Sequence, residues 1–198
     1  MVRATPMTPD ERREALVRAT VPLLYQHGRN VTTKLIAEAA GVAEGTIFRV
    51  FDSKDALVDA AIAQAFEPGE VLARLDDVDP SWPLEQRLVK MVSILQQRLL
   101  AVFGLMRACG MVAPPGEHDH HRHHREEHIA ARDALLTRML ALVEPDAEKL
   151  SVPPGRLLHL LRLLTFSASH SDIAEQDMLS PEEIVGVVLH GVERRETA

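Results

Sequence analysis

Residues 32–57 read TTKLIAEAAGVAEGTIFRVFDSKDAL, and this stretch decides the fold. Thr32 to Ala39 and Ala43 to Val50 are two short helical patterns separated by Gly41. Ile36, Ala37, Ala40, Val42, Ile47 and Phe51 supply a small shared core for them. Gly41 permits the left-handed backbone of a sharp turn, and the small Ala37 and Ala40 let the two segments approach closely at a steep angle. Downstream, Asp52 or Ser53 can cap a longer helix carrying Leu57, Ala61, Ile62, Ala65 and Phe66.

Two helices crossing in this way present the second one to a groove, so the outward side chains matter. Ala43, Glu44, Thr46 and Arg49 fall on that face. Thr32 can cap the first helix and aim its backbone N–H groups at a phosphate, with Lys34 and Lys54 as flanking cations. Arg49 is the best candidate base reader, since a guanidinium pairs bidentately with guanine O6 and N7.

Working outward, the rest of the chain also reads as helix, because sustained β-branched alternation is missing while Leu and Ala recur at spacings of three, four and seven. Upstream, Thr8-Pro9-Asp10-Glu11 is a capping box with proline at the first helical position. It opens a helix with a Leu16, Ala19, Leu23 and Leu24 stripe ending at Gly28, which Pro22 is expected to bend or shorten. Beyond Pro68-Gly69 come a short helix and then an apolar stretch from Leu84 to Met111, read as two helices jointed near Gly104. Ala113-Pro114-Pro115-Gly116 stops it; further helices are expected over about 120–143 and 154–174. The last starts at the capping box Ser180-Pro181-Glu182-Glu183 and ends near Arg194. The expected architecture is all-α with about nine helices: a domain of residues 1–52, then a helical domain of residues 53–198 whose first helix, about 53–67, is the linker.

Composition narrows the function classes. The 198 residues are 46% apolar, enough for a sizeable core. Net charge is −7, yet residues 1–60 balance eight basic against eight acidic side chains, so the whole excess falls in residues 61–198. A polyanion partner is therefore compatible with the first part and disfavoured by the rest. The single cysteine, Cys109, excludes an intramolecular disulfide and suits the cytoplasm. No secretion signal or membrane span is expected, since Arg, Gln, Gly or His interrupts the apolar stretches. Gly-x-Ser-x-Gly, a phosphate-cradling glycine loop and His-Glu-x-x-His are all missing, so neither an enzyme nor a cofactor is expected.

Taken together, Thr32-x3-Ile36-Ala37-x2-Ala40-Gly41-Val42-Ala43-x-Gly45-Thr46-Ile47-Phe48-x2-Phe51-x-Ser53-Lys54-x2-Leu57 resembles the DNA-binding domain of the TetR family of regulators. The resemblance implies an all-helical homodimer on double-stranded operator DNA, released as a repressor by a small-molecule effector. By the resemblance Thr32, Ala43, Gly45, Thr46, Phe48 and Lys54 fall at positions that touch DNA, and Thr33, Lys34, Glu44 and Arg49 complete the expected DNA-side set. The chain departs from the family pattern at Ala43, Phe48 and Val50. Ala43 gives up a side-chain cap and Phe48 a phenolic hydroxyl.

Candidate sites in the second domain rest on composition. A pocket is expected among Met91, Leu95, Leu99, Phe103, Met106, Arg107, Cys109, His159, Leu163, Phe166 and His170, with Arg162 nearby as a further polar group. The resemblance implies a dimer interface on the last two helices, where Leu157, Leu160, Leu161, Leu164, Val185, Val188, Leu189 and Val192 are the candidates. An alternative function is metal sensing or binding, through the tract His118, His120, His121, His123, His124 and His128. As a helix it would align His120, His124 and His128 on one face. Arg122 and Arg125 interrupt that cluster and no thiolate joins it, so no metal site is assigned.

Overall fold

The computed structural model describes residues 8–114, 122–174 and 177–192, and for residues 122–129 and 190–192 the backbone only. The described residues are all-helical, with no strand among them. The α-helices are α1 (Pro9–His27), α2 (Thr33–Ala40), α3 (Lys54–Phe66), α4 (Gly69–Asp76), α5 (Leu84–Ala108), α6 (Arg122–Ala141), α7 (Pro154–Ser169) and α8 (Pro181–Val192). Three 3-10 segments, Gly28–Asn30, Glu44–Arg49 and Glu144–Lys149, complete the order.

Two units form. The head comprises residues up to 67 together with 104–119, and the body comprises 68–103 together with 120–198. This division by packing differs from a boundary at residue 52: α3 belongs with the head, because Leu57, Val58, Ala61 and Ile62 bury against Leu16, Val17 and Leu24 of α1.

Helix α1 starts on the expected box, with the Thr8 N–H donating to Glu11 Oε2 at 2.7 Å and the Glu11 N–H to Thr8 Oγ1 at 3.2 Å. Pro22 does not shorten it, and the helix runs on to His27. Arg18 and Pro22 are both exposed, so the carbonyl deprived of its partner is within reach of water while Leu16, Val17 and Leu24 hold the other face. The helix ends at Gly28 with φ +55°, where an added Cβ would lie 2.1 Å from the Ala108 carbonyl oxygen. Only glycine satisfies both demands.

Helix α5 is continuous over 25 residues rather than jointed at Gly104. One exposed glycine costs a helix about 1 kcal/mol, which the packing of Leu105 and Cys109 into the head core outweighs. By length and composition α5 is the one described helix that could cross a membrane. Leu88, Met91, Val92, Ile94 and Leu95 instead pack in the core of the body, and Leu105 in that of the head.

The body centres on these α5 residues with Met139, Leu142, Val143, Leu157, Leu158, Leu161, Ile184 and Val185. Within it Arg87 and Asp146 form a buried ion pair, in which a second guanidinium nitrogen donates to the Leu142 carbonyl at 2.6 Å. Lys149 adds its ammonium to Asp146 at 2.5 Å. The Lys149 hydrogen bond and then Arg87 hold the Asp146 carboxyl below the usual carboxylate range, against burial, which pushes the other way. Helix α8 begins on its own box, Ser180 N–H to Glu183 Oε2 at 2.8 Å and Glu183 N–H to Ser180 Oγ at 3.2 Å.

Candidate nucleic-acid interface

The head builds its outward face from α2, a tight turn and the 3-10 segment Glu44–Arg49. Thr32 caps α2, accepting from the Leu35 N–H at 3.3 Å. Gly41 takes the left-handed conformation, φ +66° and ψ 32°. Its N–H donates to the Glu38 carbonyl at 3.2 Å and that of Val42 to the Ala37 carbonyl at 3.0 Å, so two of the last four carbonyls of α2 are satisfied within the turn.

The second element is six residues of 3-10 helix where an α-helix is the usual reading element. Ala43 caps it with no side-chain bond, Gly45 weakens its second position, and Thr46, Ile47 and Val50 are β-branched. Its bonds tighten accordingly, Thr46 N–H to Ala43 O at 2.8 Å and Val50 N–H to Ile47 O at 3.0 Å. Buried Ile47 and Phe51 fasten the segment to the head core, and the Arg13 guanidinium lies 4.3 Å over the Phe51 ring.

The structure brings the ten expected DNA-side residues onto the head, most of them in the open. Thr32, Lys34, Ala43, Glu44, Gly45, Phe48 and Arg49 are exposed, and Thr33, Thr46 and Lys54 are half-buried. Phe48 exposes 56% of its surface, an expense for an apolar ring that a covering partner would relieve. Lys54 is partly engaged within the head: its ammonium donates to the Arg29 carbonyl at 3.0 Å and lies 3.9 Å from Asp55. Arg29 itself pairs with Asp59 at 2.8 Å. One contact escaped the sequence reading altogether, the Thr33 hydroxyl donating to the Glu44 carboxylate across the turn. Eleven residues separate them, and only the turn geometry sets them side by side.

In the body the expected pocket set comes apart. Met106, Arg107 and Cys109 belong to the head unit, because α5 does not stop at Gly104. Cys109 packs in the head core, where burial pushes its thiol pKa up. Met91 and Leu95 are buried in the core of the body, Leu99 is half-buried, and His159 is exposed. What does assemble is a cluster of Phe103, Phe166 and His170, with ring centroids 5.2 Å apart for the two phenylalanines and 4.9 Å for Phe103 and His170. The His170 Nδ1 is buried there without a hydrogen-bond partner.

The expected dimer residues need a similar correction. Leu157, Leu161, Val185 and Val188 are buried in the core of the body, and Leu160, Leu164 and Leu189 are partly buried against it. The Val192 side chain lies outside the described residues. A helix apolar nearly all round, such as α7, offers leucines to both sides, and periodicity alone does not say which side is the core. The solvent side of α7 carries Leu163, 54% exposed, and Phe166, 46% exposed, and α8 adds Val187 at 65%.

Of the histidine tract, His118, His120 and His121 lie outside the described residues, as do the side chains of His123, His124 and His128 within α6. Among the described residues no group of three His, Cys, Asp or Glu side chains could hold a metal ion.

The geometry defines a class first: an all-helical protein with a helix-turn-helix head and a larger helical body. Residues 16–61 match the family model described as bacterial regulatory proteins, tetR family. The transcriptional repressor KstR of Rhodococcus jostii is 28% identical over 196 aligned positions, which span 89% of this chain and 84% of KstR. A TetR-family regulator from Vibrio parahaemolyticus has the same fold, with a TM-score of 0.60 at 16% identity, covering 93% of this chain and all of that one. SmeT in complex with triclosan aligns over 93% of each chain with a TM-score of 0.57 at 14% identity. Over residues 16–61 the chain is similar to tetR-family regulatory proteins, and over most of its length it is similar to a transcriptional repressor and shares the fold of TetR-family regulators.

Proposed function

We propose that the protein is a homodimeric repressor, acting in the cytoplasm, that leaves its operator when a small molecule occupies the body. The observation that carries the reading is the Thr32–Phe51 head, a satisfied turn between two short elements with Arg49, Thr46, Phe48 and Lys34 facing outward. Arg49 reads a guanine edge, while Lys34, Lys54 and the backbone N–H groups at the starts of α2 and the 3-10 segment hold phosphates. Likeness to the repressor KstR supports the repressing role.

Dimerisation places the two heads in successive major grooves about 34 Å apart. The exposed Leu163, Phe166 and Val187 on α7 and α8 support self-association, since apolar side chains open in one copy are covered in two. The structure of SmeT with triclosan supports an effector that is small and largely apolar, and the Phe103, Phe166 and His170 cluster supplies apolar rings with a polar atom among them. An effector preferring another spacing of the heads lowers DNA affinity by linkage.

The test is Arg49→Ala titrated against an operator selected from random duplexes by the wild-type protein. Specific binding is expected to weaken by about 1–3 kcal/mol and discrimination to relax at one base pair. An equal loss on operator and scrambled duplex would make Arg49 a phosphate contact and remove the base reader from this account.

A further inference from the structure

We propose that Thr33 and Glu44 form a positioning pair that sets the recognition segment, and that Glu44 acts by being held rather than by reading a base. The inference rests on the DNA-binding reading above. Its observation is the hydrogen bond from the Thr33 hydroxyl, on the first turn of α2, to the Glu44 carboxylate at the first residue of the 3-10 segment.

The segment needs such a tie. Its far end is fastened by buried Ile47 and Phe51, with Arg13 over the Phe51 ring. Its near end has no side-chain cap at Ala43 and a glycine at position 45. Val42, packed on the head core and bonded to the Ala37 carbonyl, fixes the turn, but between it and Ile47 only backbone bonds otherwise hold the first residues of the 3-10 helix, and the placement of Arg49 depends on them. A charge-assisted hydrogen bond across the turn joins the near end to the capped first turn of α2. Electrostatics asks for the same restraint. A carboxylate sweeping the face where phosphates arrive opposes binding, whereas one held by a neighbouring hydroxyl is confined to a fixed place. The same bond fixes the direction of the carboxylate, so that Glu44 faces Thr33 rather than turning freely toward a base edge.

Thr33→Val, Glu44→Ala and the double variant, each as the full chain, are titrated by fluorescence anisotropy with the selected operator and with a scrambled duplex of equal length. Circular dichroism melting confirms that each variant is folded. Each single change is expected to lower the operator-over-scrambled preference about fivefold, the worth of one net hydrogen bond. The double variant is expected to lose no more than either single one, since each removes the same bond. Thr33→Ser, which keeps the hydroxyl, is expected to restore the preference.

Independent losses that multiply in the double variant would overturn the pair. So would a Glu44→Ala loss confined to one base pair with Thr33→Val silent, which would make Glu44 a cytosine reader. A wild-type protein without any operator preference would overturn the DNA-binding reading itself, a result distinguishable from both.

Discussion

Helix α2 of the head has eight residues and α7 of the body has sixteen, yet α2 and the turn after it carry more geometric constraint. Thr32 must cap, Gly41 must be left-handed, Ile36 and Ala37 must be buried, and Thr33 must reach Glu44. In α7 the buried Leu157, Leu158 and Leu161 and the exposed Leu163 are chemically alike. In a small unit few side chains share each geometric task, so a single specified one weighs more, whereas a larger apolar core tolerates many exchanges. The body concentrates its own specificity in a few polar groups, chiefly Arg87 and Asp146.

The largest effect is expected at that pair. Asp146→Ala leaves the buried Arg87 guanidinium without its carboxylate and is expected to destabilise the chain by about 3–5 kcal/mol in urea titrations. The Asp146 pKa is lowered on folding, so its contribution is complete above the ordinary carboxylate range and fades as pH falls through the folded value. Asp146→Ala is therefore expected to flatten the acid limb of the stability profile, an effect read by repeating the titrations from neutral to acid pH.

In the head the corresponding break is Gly28→Ala, which forces a Cβ onto a positive-φ residue 2.1 Å from the Ala108 carbonyl oxygen. A loss of about 3 kcal/mol is expected, measured by thermal melting. If the same change were silent, the close approach of α1 to the end of α5 would not be a constraint.

The smallest effect sharpens the contrast from the other side. Ala43→Ser supplies the missing side-chain cap of the recognition segment and is expected to gain about 1 kcal/mol in head stability, with tighter operator binding. A loss of binding would show that the uncapped 3-10 geometry is itself what the operator requires.

These differences also explain what the sequence showed in advance. Caps, the Gly41 turn and the family resemblance were readable because each rests on one residue type at one spacing, as at Thr8, Thr32, Ser53 and Ser180. The continuity of α5 through Gly104 was not, since a glycine inside a helix reads as a joint until packing at Leu105 and Cys109 is known. Nor was the core face of α7, where leucines occupy both sides. The bond from Thr33 to Glu44 left no periodic trace, because a turn rather than a helix face brings the two together.

On the proposed function, the head of this chain reads DNA sequence. The most direct test is an anisotropy titration of the purified full-length protein against its selected operator and a scrambled duplex, at several salt concentrations. Two chains per operator, a preference of at least about a thousandfold, and affinity that falls steeply with salt are expected. Equal affinity for the two duplexes, or none for either at low salt, would contradict that function.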